Sequence, residues 1–217
     1  MLTNLPEGYD ETGPPPAAES SPFVRSVPFE SSRRVKDVAT AHPTDADRDR
    51  SLVDIVDAND VVIATVTRRR MRAENLRHRG VGIAVLNGND QLLVHRRADD
   101  KDVWPGYWDV AAGGVVEAGE TYDEAAEREL AEEVGIEGVA LISLGHETFE
   151  DDDVRVITHC YLARFDGEVR FNDGEVVEAR WVSPAEYQVM RAALPFCPDS
   201  ASMLSSMLGA VVAAWMF

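Results

Sequence analysis

From residue 51 onward, short runs of apolar positions separated by polar turns predict a mixture of strands and helices. Residues 53–57 and 61–66 are apolar-rich and flank Ala58-Asn59-Asp60, a combination typical of a β-hairpin. Further strands are predicted over residues 80–86, 91–95, 139–149, 155–164 and 176–182, and helices over 69–76, about 122–134, 184–192 and from about 199 onward. Strands and helices do not alternate regularly. The pattern therefore predicts an α/β fold with a mixed sheet rather than a purely parallel one.

The helix over residues 122–134 has the clearest local signals. Thr121 and Glu124 have the spacing of a capping box, and Gly135 stands where a C-terminal glycine belongs. Ala126, Leu130 and Val134 recur at helical spacing and form its apolar stripe. The acidic residues of the helix are therefore expected on a different face.

Both ends of the chain differ in composition from the centre. Residues 1–50 are rich in Pro, Ser, Asp and Glu and show no regular period, so they are predicted to be a disordered or loosely docked arm. The folded domain is expected to comprise residues 51–217. Residues 203–217 are apolar, but the run is too short for a membrane span and is interrupted by Ser and Gly. It is predicted to be a packed terminal helix.

The net charge of −18 at pH 7 argues against a nucleic-acid backbone as the main partner, because such binding requires clustered positive charge. A free nucleotide stays compatible with it, since a bound metal can reverse the local sign. Cys160 and Cys197 are the only cysteines, and the N-terminus has neither a basic segment nor an apolar run. These observations predict a reduced, cytoplasmic protein with no membrane partner.

Three carboxylates on the helix from residue 122 carry the main chemical signal. Glu129, Glu132 and Glu133 are spaced i, i+3 and i+4, so they are neighbours on one helix face. Like charges so placed repel one another, which favours a divalent cation or an arginine between them. A Mg²⁺ ion there would neutralise a diphosphate and acidify an attacking water, and an uncommitted carboxylate could act as general base. Arg128 could orient Glu132, and the flexible backbone at Gly114 allows close approach to metal or substrate.

The full spacing of fixed residues runs from Gly114 through Glu120 to residues 128–136, and it resembles the Nudix box at every fixed position. A solvated acidic helix face would explain the carboxylates alone, but not the glycines and the arginine around them. The resemblance to the Nudix hydrolase superfamily implies an α/β/α sandwich with a mixed sheet. It also implies cleavage of a nucleoside diphosphate linked to another moiety, with Mg²⁺ or Mn²⁺ as cofactor.

The resemblance further implies individual roles within the box. The implied metal ligands are Glu129, Glu132, Glu133 and the carbonyl of Gly114. Either Glu129 or Glu132 would be close to the base role. Glu120 would support the metal shell, and Arg128 would pair with a glutamate of the box.

Segments outside the box resemble the bacterial YfcD-type Nudix proteins, which are related to isopentenyl diphosphate isomerase. They are residues 54–57, 75–79, 104–106, 112–116 and 198–200. The isomerase has an essential cysteine where this chain has Gly113, and its box is degenerate whereas this one is complete. Hydrolysis is therefore the favoured prediction. An isomerase-like enzyme and a non-catalytic nucleotide-sensing module are the alternatives, and the family resemblance also allows a homodimer.

Contacts to a small-molecule diphosphate substrate are predicted outside the box. Residues 68–97 are arginine-rich, and Arg79 and Arg97 are candidates to bind diphosphate oxygens, with salt bridging to the acidic surface as the alternative. Glu175 is a candidate for a further ligand or base. His78 matches a metal-binding histidine of the isomerase, and a structural hydrogen-bonding histidine at a strand start is the alternative.

Overall fold

The computed structural model describes residues 48–171, 174–212 and 215. By backbone contacts the chain divides into two units, Met1–Thr40 and Ala41–Phe217. The first unit lies outside the described residues, and so does nearly all of the predicted arm over residues 1–50, which stays a prediction. The architecture below is that of the second unit.

Nine strands of the described region belong to one sheet, with four helices around it. The strands are β1 (Leu52–Val56), β2 (Val62–Thr67), β3 (His78–Leu86), β4 (Leu92–Arg97), β5 (Trp108–Asp109), β6 (Ala112–Val115), β7 (Leu141–Glu150), β8 (Arg155–Arg164) and β9 (Val176–Val182). The helices are α1 (Arg68–Ala73), α2 (Tyr122–Val134), α3 (Pro184–Ala193) and α4 (Pro198–Val211). Pairings in this sheet are both parallel and antiparallel, as the sequence predicts.

Strand β3 is the centre of the sheet. It pairs in parallel with β8, from His78↔Val156 to Leu86↔Arg164, and antiparallel with β6, from Gly80↔Val115 to Ile83↔Ala112. It also pairs antiparallel with β1 and β4. Since the carboxylate helix α2 follows β6, the pairing of β6 with β3 fixes where that helix begins relative to the central strand.

Successive side chains of a strand point to opposite faces, and β3 uses both faces for the core. Val81, Ile83 and Val85 pack with the apolar stripe of α2. Ala84 and Leu86 face the opposite cluster, to which α3 and α4 contribute Tyr187, Ala201 and Leu208. Helices therefore cover both faces of the mixed sheet, which confirms the α/β/α architecture.

Three elements differ most clearly from the sequence prediction: strands β5 and β6 and helix α1. The short strands β5 and β6 were not predicted, because Trp-Asp and Ala-Gly-Gly-Val lack a strand-like run and become strands by pairing with β4 and β3. Helix α1 begins one residue before its predicted start, since the Thr67 side chain accepts a hydrogen bond from the Arg70 N–H. It ends at Ala73 instead of Leu76 because Asn75 adopts a left-handed φ of 45°.

The apolar C-terminal segment is helical as far as Val211, as predicted. Helix α4 begins at Pro198, next to the predicted start at Asp199. Leu208 is buried, and the buried Trp215 donates from Nε1 to the carbonyl of Asp90 at 2.9 Å. Among the described residues, none of the helices has both the length and the apolar character that crossing a bilayer requires.

Candidate active site

A cavity of about 370 Å³ is lined by residues of helices α1, α2 and α4, of the β4–β5 loop and of strands β3, β6 and β8. This volume is at the low end of the range typical of small-molecule sites. Eight predicted site residues line it: Gly114, Arg128, Glu129, Glu132, Glu133, His78, Arg97 and Glu175. Glu120 and Arg79 are the two predicted residues that are not in its wall.

Helix α2 turns its acidic face to this cavity because its two ends and its apolar stripe are fixed. Thr121 and Glu124 form the predicted capping box, with Thr121 N–H donating to Glu124 Oε2 at 2.9 Å. Gly135 closes the helix in the left-handed conformation. Leu130 and Val134 are buried against the sheet. The rotation of the helix is therefore set by packing, and the glutamates follow.

Arg128 is the hub of the box. Its Nε and Nη2 donate to the two carboxylate oxygens of Glu120, each at 2.9 Å. Its Nη1 donates to Glu129 Oε1 at 2.6 Å and lies 3.4 Å from Glu132 Oε2, and Nη2 also reaches the Val115 carbonyl at 3.2 Å. One guanidinium thus ties three carboxylates to the end of β6. The prediction that Arg128 pairs with a glutamate of the box agrees with these contacts, and Glu120 reaches the site through it.

Glu129 and Glu133 are buried side by side. Burial and the neighbouring Glu129 raise the pKa of Glu133 to about 8, and the Gly113 N–H donates to its Oε2 at 2.9 Å. Burial likewise raises the pKa of Glu129, which the adjacent Arg128 opposes. Negative charge in this position is therefore only partly compensated by the protein. Glu132 is the most accessible of the three, with a third of its side chain exposed.

The backbone at the start of the box is tightly packed. A Cβ at position 114 would lie 2.3 Å from Glu129 Oε1, which real Cβ atoms do not approach. Glycine is therefore required at position 114 for the carboxylate of Glu129 to lie against the main chain of β6. The carbonyl of Gly114 belongs to the same strand end, where the sequence predicts a metal ligand.

Metal ligation fits the chemistry of this wall. Within residues 48–171, 174–212 and 215, no three His, Cys, Asp or Glu side chains converge on one point. Arg128 donates to Glu129, and the Gly113 N–H donates to Glu133. The available donors are nevertheless all oxygens, from Glu129, Glu132 and Glu133. Two of these carboxylates are buried with raised pKa values, so a divalent cation would supply the missing positive charge.

Outside α2 the cavity lining includes Arg97 and His78. Arg97 donates from Nη2 to the Val103 carbonyl at 3.1 Å, its Nη1 lies 3.7 Å from Asp109 Oδ2, and its Nε is buried without a hydrogen-bond partner. His78 is 3% exposed at the start of β3, with Nδ1 2.9 Å from the Leu76 carbonyl. Burial and the nearby Arg72 lower the pKa of His78 to about 3, so the ring is neutral. Nδ1 therefore carries the proton and Nε2 the lone pair.

Of two further predicted site residues, Glu175 lies in the cavity wall and Arg79 does not. Glu175 lines the cavity and forms ion pairs with Lys101 and Arg48. Arg79 is directed elsewhere: its guanidinium donates to Asp60 at Oδ1 (2.6 Å) and at the main-chain carbonyl (2.7 Å). Arg79 therefore ties β3 to the β1–β2 turn, the salt-bridging alternative for these arginines.

Sequence reasoning missed two acids of the site, the buried Asp109 and the half-buried Asp199. Asp109 accepts from the N–H groups of Val110 and Ala111 and faces Arg97. Asp199, in the first turn of α4, also lines the cavity, and burial together with Asp109 raises its pKa to about 7. The only signal for Asp199 was its place in the segment 198–200, and Asp109 followed a tryptophan without any recognisable spacing.

Both cysteines are buried, as expected for small core residues. Cys160 borders the cavity, but burial raises the pKa of its thiol to about 12. Cys197 lies behind Asp109, and burial likewise raises the pKa of its thiol. Neither is suited to form a thiolate near neutral pH.

Comparison with known families resolves the identity of this arrangement. The model of the NUDIX domain matches residues 76–206, which include the entire acidic wall. The chain belongs to the Nudix family. Its relatives are named as Nudix hydrolases, and the chain is an enzyme of that type.

Two relatives and one solved structure show how far the Nudix likeness extends. An uncharacterized Nudix hydrolase of Pseudomonas aeruginosa is 38% identical over 162 residues, covering 75% of this chain and 96% of the relative. The uncharacterized Nudix hydrolase YfcD of Escherichia coli K12 is 40% identical over 153 residues, covering 70% and 84%. A crystal structure from Deinococcus radiodurans matches with a TM-score of 0.63 and 26% identity, covering 72% of this chain and 98% of that one. The YfcD-like grouping expected from the sequence is confirmed.

Proposed function

We propose that this Nudix hydrolase cleaves the diphosphate linkage of a nucleoside diphosphate derivative by attack of water, with Mg²⁺ as its metal and Mn²⁺ as a substitute. The observation that supports the proposal is the acidic wall itself. Glu129, Glu132 and Glu133 face one cavity from one helix, and Arg128 and Gly113 hold them in place.

The site residues have two kinds of role: some position the metal and the substrate, and one accepts the proton of the attacking water. When bound, the divalent cation neutralises the diphosphate and makes water more acidic. Glu129 and Glu133 are buried and anchored, by Arg128 and by the Gly113 N–H, and they hold the charge of the site in fixed positions. Arg97 also lines the cavity, and its guanidinium is the type of group that donates to phosphate oxygens. Fixed donors and acceptors around the cavity orient the anhydride for in-line attack.

Glu132 is the carboxylate best placed to accept the proton of the attacking water. It is the most exposed of the three glutamates, and its contact with Arg128 Nη1, at 3.4 Å, is the longest of those that Arg128 makes to the box. The water oxygen forms a bond to phosphorus, the bridging P–O bond breaks, and Glu132 takes the proton. The product phosphate on the other side leaves with the bridging oxygen.

The isomerase alternative requires a side chain where this structure has no room for one. A Cβ at position 113 would lie 2.1 Å from the Val81 carbonyl oxygen and 3.0 Å from its carbon, both in the main chain of β3. The glycine also gives its N–H to Glu133. In this geometry, a thiol for acid–base chemistry on an alkene cannot be introduced without moving the central strand.

We therefore expect Gly113→Cys to lower the free energy of unfolding by about 1–3 kcal/mol, because overpacking against backbone cannot be relieved by a rotamer change. It should not create isomerase activity toward isopentenyl diphosphate. Urea unfolding and NMR detection of the allylic isomer measure the two outcomes. Gly82→Ala is the matched control: Gly82 is the pairing partner of Gly113, but its Cβ would meet only ordinary contacts at 3.5 and 3.7 Å. A stable Gly113→Cys protein that isomerises the substrate would contradict the proposal.

The function itself is tested with a panel of nucleoside diphosphate derivatives, dinucleoside polyphosphates and isoprenoid diphosphates. Each is incubated with Mg²⁺, with Mn²⁺ or with EDTA, in water enriched in ¹⁸O, and the products are followed by ³¹P NMR. We expect metal-dependent cleavage with ¹⁸O in one product phosphate. Tight binding of a nucleotide without phosphate release would instead identify a sensing module.

A further inference from the structure

Two arginines of helix α1, Arg68 and Arg72, line the same cavity as the glutamates. They are spaced i and i+4, so they lie on one face of the helix. Arg72 Nε is buried without a hydrogen-bond partner, and its ion pair with Asp102 Oδ2 spans 3.4 Å. In the part of the chain that the structure describes, the Arg68 side chain has neither a hydrogen bond nor an ion pair. We call Arg68 and Arg72 the α1 arginine pair.

The protein compensates the positive charge of the α1 arginine pair only in part, through Asp102. Burial lowers the pKa of Arg72, and the adjacent Arg68 lowers it further, which Asp102 only partly offsets. Arg68 also lowers the pKa of Glu129 by attraction, so the pair and the acidic wall lie within electrostatic reach of each other. A buried, underpaired guanidinium is costly unless an anion satisfies it.

The other two arginines of the same helix face solvent. Arg69 and Arg70 are exposed, and neither lines the cavity. Arg70 donates from Nε to Glu74 Oε1 at 2.9 Å. The helix therefore separates its arginines into a solvent-facing pair and a cavity-facing pair.

We propose that the α1 arginine pair is a subsite for a terminal phosphate, so that the substrates are phosphoanhydrides with one free phosphate end rather than diphosphates esterified at both ends. This inference rests on the proposed function. A terminal phosphate carries about two charges and three acceptor oxygens at pH 7, which suits two guanidinium groups. A diester phosphate carries one charge. The cavity volume of about 370 Å³ also favours a small charged end over a second nucleoside.

In this proposal, the two ends of the substrate contact different residues of the cavity. The free phosphate lies on the α1 arginine pair, and the anhydride bridge extends toward Glu132 on α2. Nucleoside di- and triphosphates and other monoesters of diphosphate fit this description. Compounds with a sugar or nucleoside on both phosphates would leave both arginines without a dianionic partner.

Two small probes test recognition of the free terminal phosphate. Monomethyl diphosphate has a free end, and P¹,P²-dimethyl diphosphate has none. Their affinities are measured by isothermal titration calorimetry in the presence of Mg²⁺. We expect the monomethyl probe to bind at least about tenfold more tightly to the native chain. Arg68→Gln with Arg72→Gln should remove that advantage. Arg69→Gln with Arg70→Gln, the matched control, removes the same charge from the same helix and should keep it.

Arg68→Gln alone is the control for a folding defect of the double variant, because the Arg68 side chain has no partner in the described residues to lose. It should reduce the preference without changing the melting temperature. Equal affinity of the native chain for the two probes would overturn the proposal, and so would a preference that survives the double substitution. If the preference is present and lost as expected but no member of the substrate panel is cleaved, the proposed hydrolysis fails while the subsite stands.

Discussion

Glu132→Gln will abolish turnover while the protein stays folded. Glutamine keeps the size and the hydrogen-bonding reach of the side chain but cannot take a proton from water or contribute a negative charge to the metal. General-base catalysis contributes about 10²–10⁴-fold, so we expect kcat to fall by about 10³-fold or more. Single-turnover kinetics on the substrate identified in the panel measures the loss, and circular dichroism and thermal melting check the fold.

Glu127→Gln is the matched control for this experiment. Glu127 is on the same helix and carries the same charge, but it is exposed and does not line the cavity. Its replacement should leave kcat unchanged. Full metal-dependent turnover by Glu132→Gln would remove Glu132 from the base role and transfer that role to Glu129, the other candidate from the sequence.

Arg128→Met is expected to be the most destabilising single substitution in the site. It leaves the carboxylates of Glu120 and Glu129 without the guanidinium that pairs them, and it removes a donor to the Val115 carbonyl. Breaking a buried ion pair from one side costs about 3–5 kcal/mol, and the partial exposure of Arg128 reduces this to roughly 2–4 kcal/mol. For a domain of this size that corresponds to a melting temperature lower by roughly 5–15 °C.

Differential scanning calorimetry measures the shift, and Arg170→Met provides the comparison. The ion pair of Arg170 with Glu168 is mostly exposed, with side-chain exposures of 69% and 79%. Exposed pairs contribute about 0–1 kcal/mol, so that variant should melt within a few degrees of the native chain. Comparable melting of the two variants would show that Arg128 is not the structural hub of the box.

Where a signal is local, the sequence predicts the structure well. Helix α2 extends over the predicted residues because its capping box, its apolar stripe and Gly135 all lie within the helix or at its ends. The direction of its acidic face follows from the same stripe. The predicted contact between Arg128 and the box also needed only helical spacing and the residues of one motif.

Side chains whose partners come from distant segments could not be placed in this way. Arg79 was a substrate candidate because it lies in an arginine-rich stretch, but its position on β3 brings it to Asp60 in the first hairpin. Asp109 enters the site because β5 pairs with β4, and two residues of strand give no periodic signal. The division of the α1 arginines into exposed and cavity-facing pairs likewise depends on what packs beside the helix.

The parallel pairing of β3 with β8 has a consequence for the order in which the enzyme becomes competent. Residues 78–86 cannot form their parallel pairing until residues 156–164 have been synthesised. The cavity residues Asp199, Ser200 and Met203 are synthesised later still. The caps of helix α2 are local, so its ends depend on no later segment. The residues of the acidic helix are thus synthesised well before those that complete the cavity. Selective capture of diphosphates should begin only after residues 199–203 have been synthesised.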